Sequence, residues 1–343
     1  MQGSGSGSGT GPFEVSECAE DCGTMTLTDS PVFAVGMMLA GLAVCMIWYG
    51  FRLKKEQMPV SAAALTATLG SLLALVCAKA GYLLHDLGSS LFEGYFDEVV
   101  SIDPTTLSFI CGCVGMCLGT ALGAKIRGIR PGKALDLFAA PACIFLCLAR
   151  IAEAGMDTIG IGDEVEAEWL QFFPLIIKNG WDDAYLSVFV LEALTALVCL
   201  IPALRKPGDG ERDGLAFERT AVCLLGMQIG WEMLLQYPYI RTFLTSFVSL
   251  EQVFCAILLT ALVIRGCVKG KRWWPIPVTA ALLGISAFFQ FFRDNKIELE
   301  WEWAMDNAWT ISLIAFALVS AGLIVTGLKA VKPAGAGREK QPG

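Results

Sequence analysis

TTLSFICGCVGMCLGTALGAKIRGIRPGKALDLFAAPACIFLCLARIAEAG, residues 105–155, holds two apolar runs joined by a short basic loop with Lys125, Arg127, Arg130 and Lys133. Each run has the roughly 20 apolar residues that a helix needs to cross a bilayer core of about 30 Å. The same unit recurs along the chain, which predicts spans at residues 31–51, 60–85, 105–124, 134–155, 185–204, 215–236, 246–265, 275–292 and 309–328. Mean hydropathy is +0.59. With 55% hydrophobic and 17% charged residues over 343 positions, a water-soluble globule is excluded, because its surface would need more charge. The expected fold is an all-α polytopic membrane protein of about nine transmembrane helices.

Charge alternates from loop to loop. Arg52, Lys54 and Lys55 follow the first run, and the loop just quoted follows the third. Arg205, Lys206 and Arg212, then Arg265, Lys269, Lys271 and Arg272, then Lys329, Lys332, Arg338 and Lys340 fall on the same side. The other side collects Glu14, Glu17, Glu20 and Asp21; Glu93, Asp97 and Glu98; Asp163, Glu164, Glu166 and Glu168; and Glu298, Glu300 and Glu302. Basic residues are retained in the cytoplasm, so the N-terminus is expected outside and the C-terminus inside. The net charge of −8 is then a difference between two faces, and nothing points to nucleic acid.

Residues 1–30 begin with a Gly/Ser run and read as a flexible extracytoplasmic leader without a signal-peptide charge pattern, so the first span stays as an uncleaved anchor. Residues 329–343 read as a disordered cytoplasmic tail. Trp273 and Trp274 on one side, and Trp301, Trp303 and Trp309 on the other, fit interfacial anchors. Gly115, Gly119 and Gly123 give the third span a flat face on which another helix can pack closely. Of 13 cysteines, most lie inside apolar runs and behave as small hydrophobes; Cys18 and Cys22 sit outside, where a disulfide can form. No metal or cofactor site is expected.

Ionisable groups inside a span are costly enough to require a partner or a function. At about 1.5 Å per helical residue, Lys79, Arg150, Glu192 and Glu232 fall at similar height in the outer part of the bilayer, with Glu153 one turn above Arg150. Such a layer is either a polar cavity open to the outer leaflet or a set of ion pairs joining helices. His85 beside Asp86 is either a proton acceptor or an interfacial residue at a helix end.

ALDLFAAPACIFLCLARIAEAG (134–155) resembles a segment of bacterial prolipoprotein diacylglyceryl transferases, in which an Asp, an Ala-Pro and a G-R-x-G-N-F-x-N signature follow in order. Asp136, Pro141 and Arg150 stand in nearly that arrangement. AKAGY (78–82), SFICGCVG (108–115), LEAL (191–194), QIGWE (228–232) and SLEQ (249–252) resemble further family fragments in the same order. Ile110 stands where the family has the histidine of an H-G-G motif, Glu153 where it has asparagine, and Gln228 where it has arginine.

The resemblance covers residues 31–266, a seven-helix transferase-like domain, with residues 267–328 as an additional two-helix segment. It implies a phosphatidylglycerol-dependent diacylglyceryl transferase of the plasma membrane, acting at the outer leaflet on a prolipoprotein acceptor. Arg150, Glu232 and Glu192 would be catalytic, and Lys79, Arg150, Glu153 and Gln228 would hold substrate. The alternative is a protein of the same fold that binds phospholipid or lipoprotein without turnover.

Overall fold

The computed structural model describes residues 30–85, 107–155, 160–165, 171–172, 175–178, 183–205, 212–235, 248–294 and 308–332. Cys18, Cys22, Asp86, Trp301, Trp303, most of the outer acidic residues and the side chains of His85 and Trp309 lie outside them.

Eleven α-helical segments are described: α1 (Pro31–Lys55), α2 (Ser61–Leu65), α3 (Ser71–His85), α4 (Phe109–Ile126), α5 (Pro131–Ala152), α6 (Val188–Val198), α7 (Leu200–Leu204), α8 (Leu215–Leu234), α9 (Leu250–Gly270), α10 (Pro275–Asp294) and α11 (Ala308–Val331). A π-turn, Thr66–Gly70, joins α2 to α3. There the Thr68 hydroxyl bonds the carbonyls of Ala64 and Leu65, both at 3.2 Å.

Among the described residues, six helices are long and apolar enough to cross a membrane: Val32–Lys55, Ser61–Leu84, Phe109–Ile126, Pro131–Gly155, Leu250–Gly270 and Thr310–Val331. This is the pattern of a multi-pass membrane protein. Val188–Leu204 and Pro275–Phe291 are shorter apolar helices. α8 is long enough but carries Glu218, Arg219 and Glu232, with both glutamates buried by its neighbours. Of the nine expected spans, then, six meet the requirement by length and composition among the described residues.

The expected fifth span begins differently from its sequence reading. Ala184–Ser187 is a strand, β3, and the helix starts only at Val188. β3 lies between β1 (Ile161–Glu164) and β2 (Ile176–Lys178), antiparallel to both, with Tyr185 opposite Glu164 and Ile177. The sheet caps the bundle at the end where α5 finishes. A bridge from Gly162 to Leu235 ties it to the end of α8.

α1 packs along α5, α3 along α4, α5 along α6, and α8 along both α9 and α11. The expected glycine face is used: α4 presses Gly115 onto the backbone of Leu73 and Ala74, and Gly119 onto Gly70, with no room for a β-carbon at either. Leu215, Val222 and Ile229 of α8 share one buried cluster with Leu259 and Val263 of α9 and with Val319 and Leu323 of α11. The last helix is therefore part of the wall behind α8. It also runs past the expected span to Val331, so Lys329 lies in its last turn, where a cation suits the negative end of the helix dipole.

One end of the bundle is basic and latched by charge. Lys133 meets Glu56 at 3.1 Å, and Arg130 meets Asp213 at 3.5 Å. Asp136 accepts the backbone N–H groups of Gly214 and Phe217 at 2.6 and 2.9 Å, capping α8 from α5. Trp273 and Trp274 lie exposed at the start of α10, at the same end.

Candidate functional site

Four helices bring their polar residues together at the opposite end. Arg150 sits in the last turn of α5, and Glu153 opens a single 3-10 turn that ends the helix. Arg150 Nη1 donates to Glu153 Oε1 at 2.5 Å, Nε faces Glu192 Oε2 of α6 at 3.1 Å, and Nη2 donates to Gln228 Oε1 of α8 at 3.1 Å. The Phe109 ring of α4 covers the guanidinium, with 4.0 Å between its centroid and Cζ. All three nitrogens of the planar fork are therefore committed to partners.

The Gln228 amide is fixed by what surrounds it. Arginine can only donate, so the carbonyl oxygen must face Arg150. Its Nε2 then donates to Glu192 Oε1 at 2.6 Å and to Glu232 Oε1 at 3.1 Å. Glu232 Oε2 accepts from the Ser249 hydroxyl at 2.7 Å. Ser249 Oγ also accepts the Gln252 N–H at 3.0 Å, so the residue that caps α9 anchors the network to a fourth helix.

The structure thus joins Arg150, Glu153, Glu192, Gln228 and Glu232, five of the six residues expected from sequence to form a site. The bonds that join them do not include Lys79, whose ammonium stands 5.1 Å from the centroid of the Tyr82 ring on its own helix. Counting residues along a span gives height and says nothing of the direction a side chain faces.

Glu251 and Ser249 are participants that the sequence reading did not single out. Glu251 Oε1 and Oε2 accept the N–H groups of Phe109 and Ile110 at 2.8 and 3.1 Å, supplying a carboxylate to the positive end of α4. Ser108 meanwhile accepts the Cys111 N–H at 3.3 Å. An S-L-E start to an apolar run is an ordinary capping pattern; its reach to another helix is what sequence alone does not reveal.

Below the network lies a cavity of about 460 Å³, bounded by α4, α5, α6, α8 and α9. Arg150, Glu192 and Gln228 line one end and Arg265 the other, with apolar walls between, among them Val114, Leu118, Ala142, Leu146 and Leu224. From Arg150 to Leu135 along α5 the cavity extends about 22 Å at 1.5 Å per residue. Arg265 is itself held by Glu218 at 3.4 Å, a carboxylate that also pairs with Arg212.

Such a site can take a slender apolar chain with a polar group at one end. It offers an anion little until Arg150 releases one of its carboxylates. Among the described residues, no group of three His, Cys, Asp or Glu side chains is placed to hold a metal. No family model, curated protein or solved structure matches the chain.

Proposed function

We propose that the protein binds a membrane phospholipid, with one acyl chain in the cavity and the head group at the Arg150–Glu192–Gln228–Glu232 network. The observation that carries this reading is the continuity of the two: a charged cluster closes one end of a slot whose walls are mainly apolar as far as Arg265. An apolar chain gains roughly 0.8 kcal/mol per buried CH₂, so a slot of this length rewards an acyl tail rather than a compact ligand. With the basic end in the cytoplasm, the network faces the outer leaflet of the plasma membrane.

A second reading adds turnover: a divergent phosphatidylglycerol-dependent diacylglyceryl transferase with a prolipoprotein acceptor. Its support is that Arg150 and Glu232, two residues retained in the sequence resemblance, are joined through Gln228, which lines the head of the slot beside Arg150. In that reaction a thiol sulfur would attack the terminal glyceryl carbon, the carbon–oxygen bond to phosphate would break, and glycerol phosphate would leave. Glu192 or Glu232 would take the thiol proton. Arg150 would exchange a carboxylate for the leaving phosphate, for which its bidentate fork is suited.

The test is reconstitution with labelled phosphatidylglycerol and a lipobox peptide, comparing the native chain with Arg150→Ala. Arginine-dependent thioether product supports transfer. Retention of one lipid per protein by native mass spectrometry, without product, supports binding alone. Absence of retained lipid from a folded protein removes both.

A further inference from the structure

α9 has a second lipid-sized face. On the side away from the first cavity, a groove of about 480 Å³ runs between α9 and α10, with Ile229 of α8 at its back. Ala261 borders both spaces. From Gln252 to Ile264 the groove follows α9 for about 18 Å at 1.5 Å per residue, comparable with half of the roughly 30 Å hydrocarbon core. Ile257 and Ile264 on its rim are exposed, so it opens sideways, toward what would be lipid.

Among the described residues, its lining differs from that of the first cavity in carrying no charged side chain. The polar groups near its α9 start are Gln252 and Ser286, bonded Nε2 to Oγ at 3.1 Å. Gln252 is 4% exposed, yet its Oε1 has no hydrogen-bond partner among the described residues. A buried carbonyl oxygen left bare costs about 1–3 kcal/mol. An acceptor held in that state beside an open apolar groove fits a ligand that brings the missing donor.

We infer that this groove is a second lipid site, for a neutral lipid with a free hydroxyl such as a diacylglycerol, its hydroxyl donating to Gln252 Oε1 and a tail lying along α9. The uncharged lining among the described residues favours a neutral head group over a phosphate or ammonium there. The site is built in part on α10, beyond the seven spans covered by the sequence resemblance. It stands independently of what occupies the first cavity. Ser249 couples the two, since its hydroxyl contacts both the Gln252 backbone and Glu232.

The experiment is photo-crosslinking in phosphatidylcholine vesicles with a diacylglycerol carrying a diazirine in one tail, mapped by mass spectrometry. The expected result is labelling concentrated on Val253, Ile257 and Ala287, lowered about fivefold by Gln252→Leu through loss of one hydrogen bond, and lowered also by Ala256→Phe, which fills the groove. The same probe with its hydroxyl methylated should label these positions no more than it labels the lipid-facing side of α1. Equal labelling by both probes, or labelling indifferent to Ala256→Phe, would identify ordinary surrounding lipid and overturn the proposal. Melting in detergent checks that the variants are folded. Retention of phosphatidylglycerol by Ala256→Phe separates this site from the first cavity.

Discussion

Glu251 and Ile110 lie 141 residues apart in sequence and on different helices, yet the glutamate carboxylate accepts the isoleucine N–H at 3.1 Å. With the companion bond to Phe109, this satisfies two of the four N–H groups that every helix start leaves without an internal partner. The position where the sequence resemblance places a histidine is therefore held by its backbone, while its side chain lines the cavity.

Replacing Glu251 by Ala should cost about 2–3 kcal/mol, the range for a charge-assisted bond lost in a buried setting. Glu251→Gln, which can accept one of the two N–H groups, should cost less. Thermal unfolding in detergent gives the comparison; equal melting of all three proteins would show that the cap contributes nothing.

Arg150→Met should be more damaging, by about 3–5 kcal/mol, because it strands buried carboxylates. Adding Glu192→Gln to that variant should restore part of the loss, since the second change removes one stranded charge. The sign of the coupling in the double-mutant cycle is the readout. Simple additivity would mean that Arg150 and Glu192, 3.1 Å apart, do not act as a pair.

Ala142→Phe projects a ring into the apolar part of the slot, away from the polar network. It should reduce the lipid that co-purifies with the protein while leaving the melting temperature close to native. Native mass spectrometry reads the first quantity. Unchanged lipid content would place the bound tail elsewhere.

Gly119→Ala should destabilise by about 1–3 kcal/mol, as overpacking of a tight contact does, because its β-carbon would meet the backbone of Gly70. Gly36→Ala is the matched control, with nothing within 4 Å of the added carbon. If both variants melt alike, the close approach of α4 to the π-turn is not where the structure puts it.

The helices were legible in the sequence because apolar length and basic punctuation are set by the bilayer rather than by particular neighbours. The boundaries of α1, α5, α10 and α11 fall within a few residues of expectation for that reason. The layer of Arg150, Glu192 and Glu232 was legible for a related one: a charge in an apolar run is an anomaly with a calculable height. Lys79 satisfied the same rule and turned to Tyr82, since height leaves rotation about the helix axis undetermined.

Glu251, named only within the SLEQ fragment, was given no role because an acid in the first turn of a helix is unremarkable. The sheet escaped because strands of three and four residues show too little alternation to stand out.

The partners of Arg150 are spread along the chain, and synthesis reaches them in order. Glu192 lies 42 residues beyond Arg150 and Gln228 78 residues beyond it. Glu153, one turn away on the same segment, is the counter-ion already present. Among the described residues, the short-range pair is therefore the one compensation for the arginine that needs no later helix.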